Sequence, residues 1–553
     1  MGVAALLGLL AAGCGSADDN QADSSSNDTV QQGVADVDVT IASDGTPTPG
    51  GTLVYALEAE TDGWDPTANR WAISGMMVGM AVYDPLTAYN ADGEVEPYLA
   101  ESIEPNETYD EWTITLREGV TFHDGSALTA EAVKATLDGH KASILTGTAV
   151  TPIEEVTVDP TNDLVAVVTM NKPWVAFPAA LTAQIGFVVS PTTLTDDGGS
   201  RDPIGTGPFD FQSWTPNASL ETAKYDGYWR TDEDGTQLPY LDGVEFRPFP
   251  DNLGRGNALL GGEVNMLHTS NPDTVAKFRE EAASGNVQMV EDRGEGEEGF
   301  VMLNTESAPL DDVRVREAIA LATDSEEYTA VIDGGVPETA RGPFQPTSPW
   351  YVETDYPEYD LEAATALIDE YTADVGPVVF TLGTTPSPEN QEAVQFLASR
   401  WGDAGMDVQI ETIDQSQFIG DALAGNYQAN LWRQFGAIDP DTDSVWWLSE
   451  SAEGTLDLNF ARNKNEAIDA ALEEGRTNPD PEARKAAYAT FQEELAKDIP
   501  YIWLTHTLWA IVADNNVRQI TNGPLPSGDP ALPLGGTGTF GGTHRLTFTW
   551  LDT

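Results

Sequence analysis

Between Glu111 and Ser143 the sequence reads EWTITLREGVTFHDGSALTAEAVKATLDGHKAS, and its hydrophobic period changes from 2 to 3.6 within that one stretch. Trp112, Ile114 and Leu116 alternate with Thr113, Thr115 and Arg117, which predicts a half-buried strand, and HDGS marks a turn. Thr129 then stands where a helix cap is expected, with Ala132, Val133 and Leu137 on one face of the helix that follows. A strand and a helix this close together bury their apolar faces on each other, which restricts the chain to helices layered on sheets. The pattern recurs. Thr52 to Leu57 alternates as a strand. Asp360 is placed to cap a helix bearing Leu361, Ala364, Leu367, Ile368 and Tyr371. Asp480 and Pro481 open another carrying Ala487, Tyr488, Phe491 and Leu495, with Pro500 just beyond its end. The fold class is therefore α/β, with no internal repeat.

At 553 residues the chain has room for several domains, and its 40% hydrophobic content supports sizeable cores. Lys and Arg number 26 against 91 Asp and Glu, a net charge of −65. Such a surface repels nucleic acid and anionic lipid, because both are bound through cationic contacts. The acids are spread along the chain, which fits either adaptation to salt or an ordinary protein of low isoelectric point. The single cysteine rules out an intrachain disulfide and a thiolate metal cluster. No run of 18 apolar residues occurs, so no membrane-spanning helix is expected.

That cysteine, Cys14, follows an apolar run from Val3 to Ala12 whose length suits the core of a signal peptide. LAAGC, residues 10–14, resembles a bacterial lipobox, and this implies a lipid on Cys14 after removal of the leader. Residues 15–50 are rich in Ser, Asp, Asn and Gln and end in GTPTPG, the composition of a flexible spacer.

Motifs for chemistry are weak. GEGEEG, residues 294–299, matches a phosphate-loop spacing, but its glutamates would repel a pyrophosphate and it reads as a loop. GTGTFG, residues 536–541, is followed by a strand pattern where a helix is required. His123, His140, His268, His506 and His544 show no zinc spacing, and no nucleophile elbow is present. No catalytic residue, metal site or cofactor is expected.

Segments far apart in the chain carry a stronger signal. Residues 83–138, containing PYLAES and REGVTFHDGSALTAEAV, are followed in order by IGTGPFDF (204–211), FVMLNTESAPLDDVRVREAIALATD (300–324) and RKAAYATFQEELAKDIPYIWL (484–504). In this order they resemble the extracellular solute-binding proteins of family 5, the peptide- and nickel-type receptors of ABC importers. The resemblance implies a type II periplasmic-binding-protein fold: two α/β lobes joined by hinge crossings, with an extra subdomain. The expected lobes are 51–299 with 513–553, including a subdomain near 63–203, and 300–512. IGTGPFDF resembles the return crossing between lobes, where Gly205, Gly207 and Pro208 allow a sharp turn.

The resemblance also implies a monomeric receptor without enzymatic activity. It would stand on the outer face of the cytoplasmic membrane, holding a peptide or peptide-sized solute for a permease. In peptide-binding members an aspartate near a tryptophan grips the peptide's ammonium. Here that position falls on Phe435 or Gly436, counted from either side of NLWRQFGAIDPDTDSVWW, and neither is acidic. The nearest acids are Asp439 and Asp441, which equally suit turn formation and capping. A nickel chelate or another non-peptide solute is the alternative. Ligand contacts are expected from Arg70, Phe300, Met302, Trp432, Arg433, Phe435 and Asp439, with Phe300 and Met302 equally suited to the core. Arg433, a rare cation in an apolar and acidic stretch, suits a carboxylate.

Overall fold

A computed structural model describes residues 39–40, 45–195, 201–294, 296–452, 457–535 and 541–552. Cys14, the run before it, most of the spacer and nearly all of GTGTFG lie outside the described residues. Strands and helices alternate as expected, and three sheets organise the rest. The first is eight-stranded, in the order Val39–Thr40, Gln288–Asp292, Trp509–Ala513, Met266–Thr269, Thr52–Leu57, Gly243–Pro248, Ser219–Lys224, Phe209–Thr215. Its strand Thr52–Leu57 runs parallel to both neighbours. Leu53, Tyr55 and Ala56 are fully buried, as in a strand covered on both faces.

The second sheet has six strands: Glu338–Thr339, Tyr501–His506, Glu298–Leu303, Ala429–Gln434, Val379–Thr384 and Asp407–Thr412. A small antiparallel sheet joins Ala100–Pro105, Glu111–Leu116, Val165–Met170 and Ile153–Val158. Separate clusters of buried side chains lie with the three sheets. The predicted strand at 111–116 buries Trp112, Ile114 and Leu116 and leaves the alternate residues partly or fully exposed.

The helices follow their caps. Asp360 accepts a bond from Ala363 N at 3.0 Å to start Leu361–Asp374, and Asp480 accepts one from Glu482 N at 3.0 Å to start Pro481–Asp498. Along the latter helix Ala487, Tyr488, Phe491 and Leu495 are buried, and each large side chain contributes roughly 1.5–3 kcal/mol. Asp312 caps Val313–Leu321. Thr129 does precede Ala130–Ala142, but its hydroxyl makes no cap bond.

Two further expectations change. IGTGPFDF does not cross between lobes. It returns the chain from the small sheet to the eight-stranded one, with Gly205 and Gly207 pressed on the end of helix Ile73–Val82. A Cβ on Gly205 would come within 2.1 Å of the Val82 carbonyl oxygen. The strand pattern after residue 541 yields only Trp550–Leu551, because Leu546–Phe548 forms a 3-10 turn. Arg545 N donates to Asn522 Oδ1 and Thr549 Oγ1 to the Gln519 carbonyl, which replaces a ladder there.

The chain passes between the two large sheets at residues 293–297 and again at 507–508. A bond from Thr507 N to the Glu297 carbonyl, 2.8 Å, ties the crossings together.

Candidate functional site

At the junction of the two lobes, the loop before helix Ile73–Val82 is shaped by buried polar groups. Asp65 accepts bonds from Thr67 N and Oγ1, while Gln184 Nε2 donates to the carbonyls of Pro66 and Asn69 and its Oε1 accepts from Trp71 N. Trp71 is buried as a result, and Arg70 is turned outward across the junction. The Arg70 guanidinium carbon lies 4.3 Å from the centroid of the Trp446 ring, a cation–π distance. Its Nη1 donates to the Leu145 carbonyl at 3.3 Å. It forms no ion pair among the described residues. Burial lowers its pKa to about 10, with Asp443 acting the other way.

Trp446 ends the 3-10 segment Pro440–Trp446, and the aspartates around it each take partners from the second lobe. Asp439 accepts from Asp441 N and takes Arg484 Nη2 on both oxygens, at 2.8 and 2.9 Å. Asp441 pairs with Arg476 Nε at 2.7 Å. Asp443 Oδ2 accepts from Gly436 N at 3.0 Å and Ala437 N at 2.9 Å. Burial pushes the Asp443 carboxyl up to about 6, although those N–H groups and Arg70 act against it.

Both positions that the peptide pattern would give to an acid are closed to one. Phe435 is buried and stacked on Phe300, ring centroids 5.2 Å apart, within a cluster that includes Tyr501 and Trp503. Gly436 has φ 137°, and a Cβ there would stand 3.0 Å from Gly296 C and 3.1 Å from Glu297 N. Phe300, Met302 and Phe435 thus lie in the packed core of the second lobe. Trp432 is half-buried, stacked on Phe418 and edge-on to Phe460.

Arg433 does reach the junction, but among partners of its own. Its Nε lies 3.4 Å from Glu297 Oε1 and its Nη2 3.7 Å from Glu58 Oε1, while Nη1 donates to Ser270 Oγ at 2.8 Å. The guanidinium carbon is 5.2 Å from the Trp509 ring, whose Nε1 donates to Glu297 Oε2 at 2.7 Å. Burial alone would lower the Arg433 pKa, and the two glutamates outweigh it. Sequence reasoning missed Glu58, Glu297, Asp443 and Trp446. Glu297 sits in GEGEEG and Asp443 in DPDTD, where the visible signal was turn chemistry.

Residues 94–455 match the sequence profile of the bacterial extracellular solute-binding proteins, family 5. The chain belongs to that family. It is a solute-binding protein of the ABC-importer type and not an enzyme. It is similar to the glutathione-binding protein of Pectobacterium atrosepticum, at 25% identity covering 77% of this chain and 83% of that one. It is also similar to the dipeptide-binding protein of Escherichia coli, at 23% identity covering 82% and 89%. Among solved structures, a Helicobacter pylori periplasmic binding protein in complex with the peptide STSA superposes with a TM-score of 0.77. The identity is 24%, and the match covers 92% of this chain and 99% of that one. NikZ from Campylobacter jejuni, in complex with Ni(L-His), gives 0.74 at 20% identity, covering 88% and 97%. Among the described residues no helix is long and apolar enough to cross a membrane.

Proposed function

We propose that this protein captures a peptide or peptide-sized solute bearing a carboxylate in a crevice between its lobes and delivers it to an ABC permease. The observation that carries this reading is Arg70, a cation at the lobe junction with a ring beneath it and no carboxylate paired to it among the described residues. A planar guanidinium in that setting takes a carboxylate through two parallel hydrogen bonds. The half-buried Trp432 adds apolar surface that tolerates varied side chains. The likeness to peptide- and glutathione-binding relatives supports the same class of solute.

A second reading, an anionic metal chelate, is favoured by one observation: neither Phe435 nor Gly436 has room for an amine-binding acid. Arg70 serves an anionic chelate equally well. Native mass spectrometry of the protein as purified separates the two. A ladder of peptide masses supports the first, a metal–chelate mass the second, and a bound solute without any acidic group contradicts both.

The receptor is proposed to act as a monomer tethered by a lipid on Cys14 to the outer face of the cytoplasmic membrane, with the polar spacer as its leash. Radioactive palmitate incorporation that persists in Cys14→Ser contradicts the tether.

A further inference from the structure

Away from the crossings, the small sheet grips the second lobe through the loop after strand Val165–Met170. Trp174 is 2% exposed, its ring packed on Phe177 and its indole Nε1 donating to Asp441 Oδ2 at 2.5 Å. The next residue, Val175, donates its backbone N–H to the Arg476 carbonyl at 2.9 Å. Arg476 lies in the last turn of helix Glu466–Thr477, where carbonyls lack an intrahelical partner, so the other lobe satisfies a helix end. The same Arg476 holds Asp441 through Nε at 2.7 Å and donates from Nη2 to Ser444 Oγ at 2.5 Å, which fixes the acceptor of Trp174. Beside them Lys172 Nζ pairs with Glu473 Oε2 at 2.7 Å.

We propose that Lys172, Trp174 and Val175 form a clasp with Asp441, Glu473 and Arg476 that holds the lobes closed and so sets the lifetime of the solute complex. The clasp residues are positioning residues. Every contact joins protein groups, so the clasp biases the open–closed equilibrium before any solute enters. A solute that binds the closed state then gains affinity from the larger closed population. The Trp174 indole and the Arg476 carbonyl are buried in this arrangement, and both lose their partners if the lobes part without water replacing them. The consequence for solute lifetime rests on the proposed interlobe site, but the clasp can be tested without solute.

The test is small-angle X-ray scattering of the solute-free full chain. The wild type is expected to be compact. Trp174→Phe removes one donor while keeping an aromatic ring, and it is expected to raise the radius of gyration. Lys172→Glu sets like charges against each other at half-exposed positions, and is expected to do the same. Combining Lys172→Glu with Glu473→Lys is expected to restore the wild-type value, a rescue that damage to either lobe would not give. The proposal is overturned if Lys172→Glu scatters as the wild type does, or if the double variant stays as open as the single one. It is equally overturned if the solute-free wild type is already as open as Trp174→Phe.

Discussion

Arg70 and Arg433 enter the same lobe junction from different lobes, and their surroundings are opposite. Arg433 stands between Glu58 and Glu297 with Ser270 as acceptor, so its charge is balanced within the protein. Arg70 lies on the Trp446 ring and touches a carbonyl, with Asp443 acting on it only at longer range and no carboxylate paired to it among the described residues. A scarce cation in a chain of net charge −65 attracts attention wherever it falls. Whether it meets a solute depends on which carboxylates the fold has already placed beside it. The difference supports the proposal that Arg70, rather than Arg433, meets the solute.

The comparison is broken most severely by Arg433→Ala. Two carboxylates then lose their shared cation, and removing one partner of a buried pair costs 3–5 kcal/mol. The Arg433 side chain is 39% exposed, so solvent screens part of this and about 2–3 kcal/mol is expected in urea unfolding. A variant as stable as the wild type would mean that the glutamates do not depend on it.

Gly436→Asp tests whether an acid can be restored at the peptide-pattern position. The left-handed backbone and the close approach of Gly296 and Glu297 predict a loss of about 2 kcal/mol and no gain in affinity for peptides by calorimetry. A stable variant with tighter peptide binding would show that the site is open to an amine-binding acid after all.

The smallest effect concerns Asp443, beside Arg70. Its carboxyl titrates near 6 in the folded protein and near 4 when unfolded, so the folded state holds the proton more tightly between those values. Acidification from pH 7 to 5 therefore adds about 1 kcal/mol of stability from this group, an increment lost again as pH rises through 6. Asp84, also pushed up to about 6 by burial, contributes with the same sign, whereas His140, His506 and His544, held neutral by burial, lose stability over the same range, so Asp443→Asn is expected to shift the net change between pH 7 and 5 against the folded state by about 1 kcal/mol. An unchanged pH dependence would remove Asp443 from the account.

The sequence was most readable where structure is local. Asp360 and Asp480 announced helix starts because a cap acts within three residues, and the Tyr488–Phe491–Leu495 stripe announced a buried face because helical period is local too. The family resemblance supplied the two-lobed plan, which no periodicity contains. Partnership across the junction was not legible. Glu58, Glu297 and Arg433 come from three distant segments, and their pairing exists only once the crossings at 293–297 and 507–508 bring the lobes together. The same applies to Phe435, whose aromatic character was compatible with either the site or the core until Phe300, Tyr501 and Trp503 closed around it.

In the proposed reading Arg70 holds the carboxylate of the solute and Arg433 does not. Calorimetry of the solute released from the purified protein, titrated into Arg70→Ala and the wild type, tests it directly. Loss of a bidentate charged contact predicts binding weaker by about 100-fold, or roughly 2.7 kcal/mol. Affinity within a factor of two of the wild type would contradict it.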